Sequence, residues 1–480
     1  MSKNVRSYYK HHFLEQLDFR YRLYLLGREK ELSNKIKIAR KLMLLAYKTG
    51  LGIYSCPELE QPFLDLAKTI STSANTEYIP NSFLHVMTQA YKGGGHTRVV
   101  ERWVATSPKD QKHSIILLEQ RDVAFSDNLM AVVSTHNGEL IVLKENDLIN
   151  RATKLREIAT HYEYVILHIH MHDPTALVAF GTEEFTRPVI LFNHADHCYW
   201  CGASIVDMVA DLRVNDFARN FRGIQNIFPI RIPFEANDVL SKFSRTKEES
   251  RRILGLPLDK KIILTVGAEP KYTPFAGCEF CDIIAQCISS MDDVICYGIG
   301  PTPETGNWSM HGNKFVAIGS VSYGENYFHY LNACDVYVNS MPIGGGVAML
   351  DAVQFNKPVL SYSLFDTKLG KILNGINTTN DLKLFGRQLK EILISKELAQ
   401  SLAVQQYQAI IECHGIEQWR KNIGVMLGKT PQNHSVHNIK KVPYKINDLA
   451  IMVSLWYGTL SSRKITLHDI YHLLKMWMHL

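Results

Sequence analysis

The stretch Asn339-Ser-Met-Pro-Ile-Gly-Gly-Gly-Val-Ala-Met-Leu-Asp351, with Asn356-Lys-Pro-Val-Leu-Ser361 just beyond it, decides how this chain reads. An apolar strand, Val336 to Val338, runs into Gly344, Gly345 and Gly346, and a helix starts at once. Glycines ahead of a helix let the main chain approach an anion, and the free N–H groups and dipole of the first turn favour negative charge. Asp351, inside that helix, offers a carboxylate of the kind that accepts ribose hydroxyls in dinucleotide-binding α/β units. The stretch therefore reads as a cradle for a nucleotide diphosphate. A tight strand-to-helix turn that binds nothing is the plain alternative.

Working outward, the same alternation of strand and helix extends in both directions. Upstream, strands are expected over 261–266, 294–299, 315–318 and 336–339, with helices over 275–289 and 326–333; downstream, 384–427 is helical. An earlier set begins at Ser82, with apolar strand-like runs over 83–88, 114–118, 131–134, 164–170 and 189–193 and a helical pattern over 147–161. Strands alternating with helices at this spacing predict doubly wound parallel sheets. Pro229 and Pro233 mark the link between the two sets. The fold class is α/β, with two Rossmann-like domains over 79–233 and 234–430. A helical extension precedes them over 1–78 and another follows over 431–480.

Bulk properties exclude several classes. Apolar content of 46% and charge of 21% over 480 residues suit a multidomain globular protein. A net charge of +6 is too mild for a dedicated nucleic-acid binder, but it suits an anionic co-substrate or peripheral contact with an anionic membrane. No apolar run reaches the length of a membrane span, and the first residues carry no secretory h-region. Nine cysteines, an odd count spread over a long chain, fit reduced thiols. A cytoplasmic location is expected, with contact at the inner membrane face allowed.

Four features of residues 80–430 together resemble the GT-B glycosyltransferase superfamily, in its bacterial, nucleotide-sugar-dependent form. They are the Gly93-Gly-Gly-His96 loop after the first strand and a histidine, His194, at the end of a strand late in the first half. The others are the strand ending Val266-Gly-Ala-Glu-Pro-Lys271 and the Gly-rich loop with Asp351. The resemblance implies two Rossmann-like domains facing across a cleft, and transfer of a sugar from a nucleotide-sugar donor. Uracil is the commonest base in such enzymes, so a UDP-sugar is the expected co-substrate.

The chemistry then distributes over named residues. A transferase working without a metal must neutralise the leaving diphosphate with Lys or Arg and main-chain N–H groups, and Lys271 with Gly344–Gly346 suits that task. Gly94 and Gly95 open a helix in the first half and suit a second contact with donor or acceptor. Tyr323 lies in the 319–323 loop, where similar enzymes hold the base edge through main-chain groups. The cluster Phe192-Asn-His194-Ala-Asp196-His197 stands at the C-terminal end of a strand, where open α/β sheets place function. Histidine suits removal of a hydroxyl proton near neutral pH, so His194, then Asp196 and His197, are the candidate acid–base groups, with His96 beside the first-half loop. Each histidine has an ordinary structural reading as well.

No metal is expected. His168, His170 and His172 alternate along one expected strand and so share a face, but read better as partly buried imidazoles beside the cleft, with His172 and Asp173 as acceptor contacts. The pairs Cys198/Cys201 and Cys278/Cys281 have zinc-like spacing, yet fall in different halves.

One departure bears on stereochemistry. Many retaining members carry an acid eight positions before the one in the Gly-rich helix; here that place is Ile343, preceded by Pro342. The resemblance therefore carries no retaining assignment and leans toward protein-glycosylating and O-GlcNAc-type transferases. The expected acceptor is a glycan of a bacterial surface polysaccharide or lipopolysaccharide, with a protein side chain second. A UDP-sugar 2-epimerase of the same fold and a non-catalytic sugar-nucleotide-binding protein are the competing classes. No nucleic-acid acceptor is expected.

Overall fold

A computed structural model describes residues 3–71, 77–92, 95–125, 127–212, 217–234, 243–364, 376, 378–441, 450, 453–454 and 457. The chain divides into two compact units, Met1–Ile230 with Asn422–Leu480, and Arg231–Lys421.

The first unit carries seven strands: β1 (Ile79–Met87), β2 (Lys112–Leu117), β3 (Leu140–Val142), β4 (Tyr162–His168), β5 (Val189–Asn193), β6 (Met208–Asp211) and β7 (Ile227–Pro229). Their order is β3-β2-β1-β4-β5-β6-β7, and every pairing is parallel. The second unit repeats the plan with β8 (Lys261–Val266), β9 (Val294–Ile299), β10 (Phe315–Gly319), β11 (Val336–Val338), β12 (Val359–Tyr362) and β13 (Thr378–Thr379). Its order is β10-β9-β8-β11-β12-β13, again all parallel. Parallel sheets are covered on both faces, so their strands read as near-continuous apolar runs; β5, Val-Ile-Leu-Phe-Asn, is buried along its whole length. Strand order reverses between β1 and β4 and between β8 and β11. In open α/β sheets such a reversal is where loops at the C-terminal strand ends diverge and ligands bind.

The first helices belong to the same core as the first sheet. Phe19, Leu26, Ala39, Leu42, Met43 and Phe63 pack in one cluster with Leu84, Val165, Leu167 and Val189. Two buried charged groups fasten this layer. Glu60 accepts the N–H groups of Gly202, Ala203 and Ser204 at 2.8, 3.1 and 2.9 Å. Arg156 donates to the carbonyls of Ile70, Ala67, Val178 and Ala179 at 2.6–3.0 Å. Buried charges are tolerated only with such complete hydrogen bonding. Beyond the helix Ile416–Lys429 the chain lies on this unit. There His434, fully buried, bonds Asp207 and the Phe180 carbonyl at 2.8 Å each.

Several local expectations fail for identifiable reasons. The run 131–134 is not a strand but the end of the helix Asp127–Ser134, since a four-residue apolar run has no period that separates the two. The helix expected from 275 starts at Phe280; before it Ala276 and Gly277 take φ of 51° and 82° in a turn closed by Phe275 and Cys278. Consequently Cys278 lies outside the helix. Strand β4 ends at His168, so His170 and His172 are not its continuation. Of the terminal helices expected over 431–480, residues 442–449, 451–452, 455–456 and 458–480 lie outside the described residues.

Candidate functional site

In the second unit the loop after β11 is shaped by its own polar groups. Asn339 Oδ1 accepts the Gly345 N–H at 2.9 Å while its Nδ2 donates to Ser361 Oγ on β12 at 3.1 Å. Ser340 Oγ donates to the Ile343 carbonyl at 2.8 Å, and Ile343 N–H to the Lys271 carbonyl at 3.3 Å. The chain is thereby turned so that Gly346 caps the helix Val347–Gln354.

Lys271 comes from a short 3-10 turn, Glu269–Tyr272, that follows β8. Its Nζ reaches the Gly344 carbonyl at 3.4 Å, its sole hydrogen bond among the described residues. A Cβ built on Gly345 would stand 3.2 Å from that ammonium and 3.4 Å from Asn339 Oδ1, so the lysine lies close against the loop main chain. Burial lowers Lys271 to about 8. A cation without a carboxylate partner among the described residues, beside main-chain N–H groups at a helix start, is an arrangement that attracts negative charge.

The other donor-side candidates separate. Asp351 is 2% exposed and accepts the Tyr327 hydroxyl at 3.1 Å. The Tyr327 ring is tilted against that of Tyr323, which is exposed in the loop after β10, with ring centroids 5.6 Å apart. Tyr272, by contrast, is a core residue bonded to Thr265 at 2.9 Å. Ile343, at the position of the missing acid, is buried.

In the first unit, Gly94 lies outside the described residues, and Gly95 opens the helix Gly95–Thr106. His96, in its first turn, places its ring 4.3 Å from that of His194, edge to face. Burial lowers His96 to about 4, with His170 adding to the effect. Burial, then His96, holds His194 well below the usual histidine range, so both rings are neutral near pH 7. His194 Nε2 lies 2.8 Å from His168 Nδ1. Asp196 and His197 form a separate pair at 3.4 Å, with Asp196 buried and Arg222 donating to its carbonyl at 3.0 Å. The structure thus joins His194 with His96, and Asp196 with His197. Asp173 is occupied by Thr88 and Thr175 at 2.6–2.9 Å.

The cysteine pairs are core thiols. Cys198 and Cys201 lie in one unit, Cys278 and Cys281 in the other, all buried and free. Glu279, Asp282 and His311 bring ligand atoms within 4.8 Å of one another, but this group clamps a loop. Glu279 accepts the Asp282 N–H, and Asp282 accepts from Asn307 and His311.

Sequence reasoning missed Asn339, Ser340 and Tyr327, ordinary polar residues whose roles depend on where the chain folds. It also passed over His85 and His113. Their signal was present: a histidine inside an otherwise apolar strand must find a partner when buried.

No family model and no curated protein sequence matches the chain. Solved structures do. Anabaena Alr3699/HepE, in complex with UDP and glucose, aligns with a TM-score of 0.53 at 13% identity over 72% of this chain and 99% of that one. A glycosyltransferase from Rickettsia africae gives 0.52 at 14% over 74% and 99%. Sucrose-phosphate synthase from Thermosynechococcus elongatus gives 0.50 at 13% over 72% and 98%. The chain therefore has the GT-B fold, two Rossmann-like units in series, as the resemblance implied.

Proposed function

We propose that this protein is a glycosyltransferase that uses a nucleotide sugar, with UDP as the leaving group. The observation that carries the reading is Lys271: an ammonium with no carboxylate partner among the described residues, held against the Gly344–Gly346 loop at the start of a helix. In this reading Lys271 and the loop N–H groups take the diphosphate and stabilise charge as the glycosidic bond breaks. Asp351 takes the ribose, and the loop with Tyr323 takes the base. His194 Nδ1 removes the proton of the acceptor hydroxyl, with His96 packed against it.

Neutralisation by a lysine and main-chain groups asks for no metal, so UDP affinity should survive EDTA. The acceptor we assign is a glycan of a bacterial surface polysaccharide or lipopolysaccharide, ahead of a protein side chain. That assignment rests on the resemblance alone, as does work at the inner membrane face. The chain has no helix, among the described residues, long and apolar enough to cross a membrane.

The direct test is calorimetric titration with UDP and UMP, followed by incubation with a panel of UDP-sugars with and without glycan acceptors. Preference for UDP and acceptor-dependent release of UDP support the reading. Equilibration of a UDP-sugar with its 2-epimer in the absence of acceptor would replace it with the epimerase. Tight UDP binding without turnover on any acceptor would leave a binding protein.

A further inference from the structure

The first sheet carries a row of histidines of which only the last, His194, has a role in the reading above. His113 on β2, His85 on β1, His168 on β4 and His194 just past β5 all point to one face. Registers pair Phe83 with His113, Met87 with His168, and Ile166 with both His85 and Ile190, and side chains two apart share a face. The row climbs diagonally, two residues per strand, from the start of β2 to the C-terminal rim beyond β5. The helix Gly95–Thr106 covers it, with Trp103 edge-on to His85 and His168.

The rings are joined nitrogen to nitrogen. His113 Nδ1 lies 2.9 Å from His85 Nε2, His85 Nδ1 lies 3.1 Å from His168 Nε2, and His168 Nδ1 lies 2.8 Å from His194 Nε2. Every link has the same sense, Nδ1 to Nε2. At the far end His113 Nε2 lies 3.3 Å from Gln111 Oε1. His113, His85 and His168 are fully buried, whereas His194 keeps exposed surface. Other groups facing the row are His96 and His136, with His170 beside His96. Burial depresses each ring of the row below the ordinary histidine value, so all four are neutral and each carries one N–H.

A chain of neutral imidazoles has one degree of freedom. If one ring donates through Nε2, every ring must, because each Nδ1 is then needed as an acceptor. The terminal partner chooses the direction. The Gln111 carbonyl oxygen can only accept, so His113 donates to it through Nε2, His85 to His113, His168 to His85, and His194 to His168. His194 is left with Nε2–H spent inside the sheet and a bare Nδ1 lone pair, which makes no hydrogen bond among the described residues.

We infer that Gln111, His113, His85 and His168 are positioning residues that fix the tautomer of His194 from the opposite end of the sheet, presenting Nδ1 as a base. The tautomer assignment stands on these contacts alone; its use on an acceptor hydroxyl rests on the glycosyltransferase reading.

The test uses full-length protein with 15N-labelled histidine and three forms: wild type, Gln111→Glu and Gln111→Lys. Gln111 is half-buried at the strand margin, so these changes spare the core. A carboxylate is also an acceptor and should keep His194 protonated at Nε2. An ammonium is only a donor and should reverse every link, moving the His194 proton to Nδ1. Two-bond nitrogen–proton correlations read the protonated nitrogen directly. Nε2–H at His194 in wild type and Q111E, with Nδ1–H in Q111K, supports the inference. His194 protonated at Nδ1 in wild type, or the same tautomer in all three, overturns it. Titration with UDP, whose proposed site is in the other unit, judges the donor reading separately: a wild type that shows the expected tautomers but binds no UDP sinks that reading and not this one.

Discussion

Replacing Lys271 with alanine tests the donor site most sharply. The ammonium is held near the Gly344 carbonyl with no ion-pair partner among the described residues, so its charge is available to a ligand. A hydrogen bond to a charged group contributes about 2–3 kcal/mol, so K271A should weaken UDP binding about 30- to 150-fold. The lowered value adds a second reading from the same residue. With Lys271 at about 8, about nine-tenths of it is ammonium at pH 7 and about one-tenth at pH 9. The last ionisation of the diphosphate, by analogy with phosphate esters, lies near about pH 6, so its charge barely changes over this range. Only the charged lysine attracts the diphosphate, so affinity must fall as pH rises. Wild-type UDP affinity should drop about tenfold between pH 7 and 9, while K271A should be flat. Isothermal titration at both pH values measures this. A K271A protein that binds UDP within about twofold of wild type, or a wild-type affinity independent of pH, would refute the assignment.

Other outcomes follow from the same geometry. Asp351→Asn should weaken UDP about tenfold through the ribose contact and leave inorganic pyrophosphate affinity unchanged; equal losses for both ligands would make Asp351 a purely structural partner of Tyr327. Glu60→Ala strips the acceptor from three buried N–H groups and should cost about 3 kcal/mol or more in urea unfolding. Burial alone would raise Asp207, but hydrogen bonds from His434 and His437 outweigh it and hold the carboxyl below 3.8. That stabilisation is present above the unfolded value and is lost as pH falls through the lower folded value. Thermal unfolding of wild type should therefore decline on acidification below about pH 4, and Asp207→Asn should show a shallower decline.

Much of the fold was legible because parallel strands, covered on both faces, appear as apolar runs of strand length. The spans 189–193, 261–266 and 294–299 appear in the structure with those bounds. Failures came where a run was too short to show a period, as at 131–134. They also came where one backbone conformation stopped an element, as at Ala276 and Gly277. Lys271 and the Gly344–Gly346 loop were both read locally, and the structure brings them within hydrogen-bond distance of each other.

By itself, then, the sequence determined the architecture and placed a glycine loop before a helix start, because hydrophobic period, glycine placement and helix starts act over a few residues. The histidine row could not be determined that way. His113, His85, His168 and His194 span more than eighty positions, and only the strand order β2-β1-β4-β5 with its register lays them on one diagonal. Tertiary structure also decided that Asp196 pairs with His197 and not with His194, and that Asp351 holds Tyr327. A hydrogen bond is set by distances of a few tenths of an ångström, and those distances exist only once the sheets have formed.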